Sequence, residues 1–133
     1  MTDKIKTNFL VVCDYASLDA QNKASIIGIF RNIMIPEGGL PLMYPSFYVV
    51  FNFEAPSVRK YIIQIKLIGP SGEEICTSLP SEVDVKEVKD EGASGGVISR
   101  FMNVEFKEMG RYKVEVFVDG IEVEDAIIYV KKV

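Results

Sequence analysis

Two carboxylates, Asp14 and Asp19, are the residues whose type and spacing come closest to a chemical site in this 133-residue chain. They follow the apolar segment NFLVVC and could serve as an acid–base pair or as oxygen ligands for a hard cation. The competing interpretation is structural, because carboxylates beside turns commonly accept hydrogen bonds from the local backbone. We therefore take both as candidate ligand or cation residues and predict no catalytic residue.

The chain contains no histidine. This excludes Ser-His-Asp and Cys-His nucleophilic sites and every metal site that depends on imidazole. The two cysteines, Cys13 and Cys76, lie in apolar segments without CxxC spacing, which indicates buried thiols; a disulfide between them stays open. We expect no cofactor and no metal, and an enzyme is not the favoured class.

The formal net charge is −4. Duplex nucleic acid and anionic membranes attract basic surfaces, so we expect neither as a partner. The first residues contain no secretory hydrophobic region, and no apolar run approaches the roughly 18 residues that a spanning helix needs. The expected location is the cytoplasm.

Short apolar segments rich in valine and isoleucine, separated by turn residues, cover the chain. This pattern suits pleated, half-buried surfaces. It predicts one all-β domain over residues 1–133, an antiparallel two-sheet β-sandwich of about eight strands, with a β-barrel as the alternative. The predicted strands are Asn8–Tyr15, Ala24–Ile35, Ser46–Glu54, Lys60–Ile68, Glu74–Leu79, Val97–Glu108, Tyr112–Val118 and Ile121–Lys131.

Two stretches depart from simple alternation. Gly28 lies inside a strand pattern, which indicates a bulge or a close approach to it. The acidic stretch 80–96 ends in glycine and serine and is predicted to be an exposed, mobile excursion, either a recognition loop or a tolerated insertion.

Asp119-Gly120 predicts a type I′ hairpin turn, because both central residues of that turn need positive φ. An uninterrupted register would place Glu115 opposite Glu124. We therefore predict a β-bulge at Glu124-Asp125. With that bulge, five apolar side chains of the last strand would face the core: Ile121, Val123, Ala126, Ile128 and Val130.

Three residues are candidates for an interaction surface. The segment Ser46–Glu54 is apolar on both faces, with Tyr48 and Val50 on the face opposite Phe47. Phe117 points away from the face of its strand that carries Tyr112. A strand that is apolar on both sides is either central in the fold or covered by another chain, so Tyr48, Val50 and Phe117 could mark self-association.

The string GRYKV followed by VDG resembles the penultimate strand of immunoglobulin-like domains, in which a glycine precedes a tyrosine at a strand corner. More broadly, NFLVVCDYAS, SIIGIF, GPSGEE and GRYKVEVFVDG are similar to a family of small uncharacterised prokaryotic proteins, a domain of unknown function. The features of that family fall here on Asp14, Lys23, Gly28 and Phe30. The resemblance implies an immunoglobulin-like fold and no particular chemistry.

The leading hypothesis is a non-enzymatic binding module that contacts a protein partner or copies of itself. A carboxylate-dependent enzyme or cation site at Asp14 and Asp19 is the first alternative. A carrier with an apolar cavity between its sheets is the second.

Overall fold

The computed structural model of the chain describes residues 5–21, 23–88 and 92–133, with only the backbone at 86–88 and 92. Within these residues the chain forms strands and no helix, and so contains no helical segment suited to crossing a membrane. The strands are β1 (Lys6–Leu18), β2 (Ala24–Ile29), β3 (Asn32–Ile35), β4 (Leu42–Glu54), β5 (Lys60–Ile68), β6 (Glu74–Thr77), β7 (Ser81–Asp84), β8 (Lys86–Val88), β9 (Gly92–Phe106), β10 (Gly110–Val118) and β11 (Ile121–Lys132).

The strands form two separate sheets. One has the order β2-β1-β4-β9-β8, and the other has the order β3-β11-β10-β5-β6 with β7 also paired to β5. Neighbouring strands are antiparallel, except that β3 runs parallel to β11. The two-sheet sandwich predicted from the alternation is confirmed, and the chain does not close into a barrel.

Aromatic rings fill the space between the sheets. Phe47 stacks on Phe101 of the neighbouring strand at 5.3 Å between ring centroids, and Phe51 stacks on Phe53 at 5.2 Å. All four are buried in one continuous core. Phe47, Phe51 and Phe53 alternate along β4 with outward-facing residues, so the period-2 pattern of the sequence translates directly into one buried face.

A tyrosine at the corner between β9 and β10 fixes that connection. The Tyr112 hydroxyl donates a hydrogen bond of 2.7 Å to the carbonyl oxygen of Glu108, four residues upstream. Gly110 lies between them at φ +136°, and a Cβ there would approach the ring of Pro70 to 3.0 Å. This is the tyrosine corner of immunoglobulin-like sandwiches, and it confirms the resemblance read from the GRYKV string.

The predicted strand Ala24–Ile35 is wrong as a single element. Gly28 adopts φ +70°. Phe30 then turns into the core, where its ring lies 6.4 Å from Phe47. The chain thereby crosses between layers, and Asn32–Ile35 joins the other sheet beside β11.

The type I′ turn is confirmed, since Asp119 and Gly120 have φ of +51° and +84°. The predicted bulge position is wrong by one or two residues. The pairing shifts between Val116 and Phe117, which face Glu124 and Glu122, so Val123 is the extra residue. Placing the insertion at Val123 lets this apolar side chain pack against the core.

The predicted burial of the other apolar residues of β11 is confirmed in part. Ala126, Ile128 and Val130 belong to the core or pack against it, whereas Ile121 is exposed, contrary to expectation. An acidic pair persists across the strands, because Glu115 faces Asp125. The ammonium group of Lys113 lies 3.7 Å from one carboxylate and 3.8 Å from the other, which offsets their repulsion.

The stretch 80–96 is ordered where the structure describes it, so the predicted excursion is wrong there. Ser81–Asp84 pairs with β5, and residues 86–88 pair with the beginning of β9. Val85 is buried and Val83 packs against the core, which holds this part of the stretch to the sandwich. Residues 89–91 of this stretch, and Asn22, lie outside the described residues.

Candidate protein-interaction surface

Asp19 organises the turn between β1 and β2. Its Oδ1 accepts hydrogen bonds from the backbone N–H groups of Gln21 and Lys23, at 2.8 and 2.9 Å. Its own N–H donates to the carbonyl oxygen of Lys23 at 3.0 Å. These three bonds are the structural role that the sequence offered as the competing interpretation.

Asp14 lies five positions earlier, within β1, and its side chain extends over Gly28 of the neighbouring strand. A Cβ at Gly28 would come within 2.9 Å of the Asp14 Cγ. Burial, reinforced by the Asp14 charge, raises the pKa of Tyr44. Five positions along an extended strand span roughly 16 Å, so the structure does not bring Asp14 and Asp19 together.

Three features of the family resemblance converge at this edge of the sandwich. Asp14 occupies the space left by the missing Cβ of Gly28, and Phe30 enters the core two residues later. The described residues contain no group of three or more Asp, Glu or Cys side chains able to hold a metal ion. In the described structure, these residues therefore shape the crossing from β2 to β3.

The outer face of the five-stranded sheet carries a second apolar cluster, separate from the core. Cys13 and Val50 are buried there, although no second layer of described residues covers this side of the sheet. Val50 pairs with Val11 of β1 on one side and with Ile98 of β9 on the other. Cross-strand neighbours share a face, so these side chains shield one another laterally.

Larger apolar side chains surround this cluster and remain accessible. Phe9, Ile29 and Met102 lie at its borders by strand register. Tyr15 packs edge-on against Tyr48, with ring centroids 5.4 Å apart. We call the set the apolar outer face; it comprises Phe9, Val11, Cys13, Tyr15, Ile29, Tyr48, Val50, Ile98 and Met102.

Charge is nearly absent from this surface. Among the described residues between the Phe9 and Met102 positions, Arg100 is the one charged side chain on the outer side of the sheet. Its guanidinium carbon lies 5.7 Å from the centre of the Tyr48 ring, and its Nε donates to Ser46 Oγ at 3.0 Å. The cores of protein interfaces are depleted of charged residues in general and enriched in Tyr, Met and Arg. This surface has the same composition.

The opposite outer face, on the six-stranded sheet, is a contrasting solvent surface. Ion pairs cross it, including Lys60 with Glu82 at 3.2 Å and Lys66 with Glu74 at 3.3 Å. Lys113 adds its contacts with two carboxylates. Apolar residues on this side are interspersed with these charges, as is usual for a hydrated sheet face.

The three predicted interaction residues therefore lie on two different sheets. Tyr48 and Val50 belong to the apolar outer face. Phe117 lies on the other sheet, half-buried, with the ammonium group of Lys66 5.0 Å from its ring centre. The sequence also held a signal that was missed: Phe9, Val11, Cys13 and Tyr15 alternate along β1 and give it a second apolar side.

Both thiols are free and lie in different sheets. Burial raises the pKa of Cys13, which forms part of the apolar outer face. Burial also raises the pKa of Cys76 to about 11, with the Glu74 charge adding to the effect. Both thiols are therefore protonated and weakly nucleophilic at neutral pH.

Two clefts of the described surface open at edges of the sandwich, each lined by residues of both sheets. One of about 370 Å³ lies beside β6 and the end of β9, and one of about 280 Å³ lies beside Arg31 and Asp125. The stacked phenylalanines occupy the space between the sheets. The carrier hypothesis requires an apolar cavity in that place and stays a prediction.

Two solved structures of similar fold belong to much longer chains, of which this chain spans less than a third. The Pseudomonas fluorescens alkylpurine DNA glycosylase AlkC, solved with DNA containing an abasic-site analogue, has a TM-score of 0.56 at 13% identity. The match covers 96% of this chain and 30% of that one. A β-glucosidase from Listeria innocua in complex with glucose has a TM-score of 0.55 at 12% identity, over 98% of this chain and 16% of that one. At these identities the likeness shows the fold alone.

Sequence comparison reaches the family level. No curated protein sequence matches the chain significantly. A family model described as a family of unknown function, DUF6941, matches residues 8–131. This match covers nearly the whole chain and confirms the resemblance drawn from the Asp14, Lys23, Gly28 and Phe30 features. The chain therefore belongs to the DUF6941 family of unknown function.

Proposed function

We propose that the chain is a non-enzymatic interaction module that binds another protein surface with its apolar outer face. The observation that carries this proposal is the contrast between the two outer faces of one sandwich. One is laced with ion pairs, and the other has Arg100 as its one charged side chain across the described central rows. Water in contact with so much apolar surface is unfavourable, so covering it releases free energy.

The solved structures of similar fold are consistent with such a role. In both the DNA glycosylase and the β-glucosidase, a sandwich of this kind accounts for a minor part of a long chain. The activities in their names belong to those whole proteins, and the fold itself is compatible with an accessory, binding role.

Photo-crosslinking tests the proposal. We would replace Ile29, 59% exposed on the apolar outer face, with p-benzoylphenylalanine, and make the matched replacement at Ile62, 37% exposed on the charged face. Irradiation in cells of the source organism should give a discrete protein adduct at position 29 and none at position 62. The adduct should disappear when Met102→Lys places a charge elsewhere on the same face.

Two results would overturn the proposal. Equal adducts at both positions would show that the two faces are equivalent, and no adduct at position 29 would show that the apolar outer face stays uncovered. The Met102→Lys chain must retain the melting temperature of the native protein, so that loss of the adduct reports on the surface and not on folding.

A further inference from the structure

We infer that the surface covering the apolar outer face is the same face of a second copy of this chain, stacked on it across a twofold axis. This inference rests on the proposed function and names the partner that the proposal leaves open.

The area suits a weak dimer. Phe9, Tyr15, Ile29 and Met102 are 37%, 48%, 59% and 57% exposed, which together equals about two fully exposed large side chains. At roughly 200 Å² each, and with a smaller contribution from the partly buried members, one copy offers about 500 Å² of apolar surface. Two copies would bury about 1,000 Å², the lower limit for a specific interface and the size class of weak, transient contacts.

The charge distribution favours an uncharged partner surface. The chain carries −4 overall, so a partner recognised by charge would be basic and would be drawn to the acidic groups. Those groups do not lie on the central rows of the apolar outer face. A second copy offers a matching surface with no acidic group and with Arg100 as the one charge in its described central rows, and stacking keeps the ion pairs of both six-stranded sheets in water, on the two outsides of the dimer.

The shape of the surface is compatible with itself. β-sheets stack face to face at about 10 Å through interdigitating side chains. A twofold axis brings the same patch of each copy together, so one set of residues provides both halves of the interface. By strand register, the most exposed positions of this face, Ile29 and Met102, lie on opposite sides of the buried Cys13 and Val50.

The edge of the same sheet is the competing contact for a second copy. β2 is an outer strand with no charged residue and no proline between Ala24 and Ile29, and such edges invite strand pairing. Met102 lies on β9, three strands away from β2 and therefore about 14 Å from that edge. A change at Met102 thus distinguishes face stacking from edge pairing.

Sedimentation equilibrium of the purified chain, from about 1 μM to about 1 mM, tests the inference. We expect a monomer–dimer equilibrium whose dissociation constant rises at least tenfold in Met102→Lys and in Tyr15→Lys. The matched controls are Met34→Lys and Tyr129→Lys, which change similarly exposed residues of the other sheet and should leave the constant unchanged. Melting temperatures identify any variant that fails to fold.

Each contrary outcome has a distinct meaning. A wild-type monomer at 1 mM overturns the inference, and dimers that tolerate both face variants but not Ile29→Lys assign the contact to the β2 edge and overturn it too. Crosslinks at position 29 to a mass other than a second copy overturn the inference while supporting the proposed function. Absence of any crosslink there removes the proposed function as well.

Discussion

Replacing Gly28 with alanine should destabilise the fold for two separable reasons. The first is backbone strain, because an L-residue at φ +70° costs about 1–2 kcal/mol. The second is a collision, since the new Cβ would lie 2.9 Å from the Cγ of Asp14. Moving that carboxylate out of its rotamer adds about 0.5–1.5 kcal/mol, so we expect Gly28→Ala to lose about 1.5–3.5 kcal/mol in total.

Gly38 provides a matched control for the backbone term. Its φ is +72°, and no atom lies within 4 Å of a Cβ built on it. Gly38→Ala should therefore lose only the strain of about 1–2 kcal/mol. Urea unfolding of both variants measures the difference, which assigns the excess to Asp14.

A double variant tests that assignment. In an Asp14→Ala background most of the collision at Gly28 is removed, and the cost of Gly28→Ala should fall to that of Gly38→Ala. Equal losses at the two glycines in the native background would refute the reasoning. So would an undiminished loss at Gly28 when Asp14 is alanine.

Three further predictions concern the corner, a thiol and the hairpin turn. Tyr112→Phe should lower the free energy of unfolding by about 1–2 kcal/mol, because its 2.7 Å hydrogen bond to Glu108 is lost. The control Tyr129→Phe, for which no such bond is seen, should change it by no more than about 0.5 kcal/mol. Thermal unfolding compares the two variants, and equal effects would contradict the role of the corner. Burial raises the pKa of Cys76 from 9.0 to about 11, so the unfolded chain releases this proton first and the free energy of unfolding should fall between pH 9 and 11. Urea titrations should show a smaller fall for Cys76→Ala. Identical pH profiles of the two proteins would contradict this prediction. A hydrogen bond from the backbone N–H of Ile62, and then Arg59, lower the pKa of Asp119. Its carboxylate therefore stabilises the fold above the unfolded pKa of 3.8, and this contribution is lost as the pH falls below that value. The loss of stability in Asp119→Asn at pH 7 should shrink toward pH 2, and a loss that stays constant with pH would contradict the pairing.

The local sequence pattern was sufficient to predict burial and turn type wherever these depend on one strand and the next strand along the chain. The alternation of Tyr112, Val114, Val116 and Val118 predicted their burial, and Asp119-Gly120 predicted its turn from two residues. Conformational preferences of this kind act over two to four residues, so they are legible before any tertiary contact is known.

The pairing register was harder to predict from the sequence where two alternative registers both bury apolar side chains. The bulge in β11 was predicted at Glu124-Asp125 and lies at Val123. The deciding term is how Val123 packs against the opposite sheet, and the hairpin alone does not contain that information. The division of Ala24–Ile35 at Phe30 has the same origin, because both halves are strands and only the core determines which sheet each one joins.

By itself, the sequence determined that alternating side chains would make an all-β sandwich, and that chemistry based on imidazole is absent, because both depend only on residue type and spacing. Only the tertiary structure decided that Tyr48 and Val50 share a surface with Tyr15, Ile29 and Met102 while Phe117 lies on the other sheet. A residue's side of a strand is a local property, but its neighbours on that side come from strands distant in sequence. The order of those strands follows from burying the most apolar surface at once, and that is a property of the whole chain.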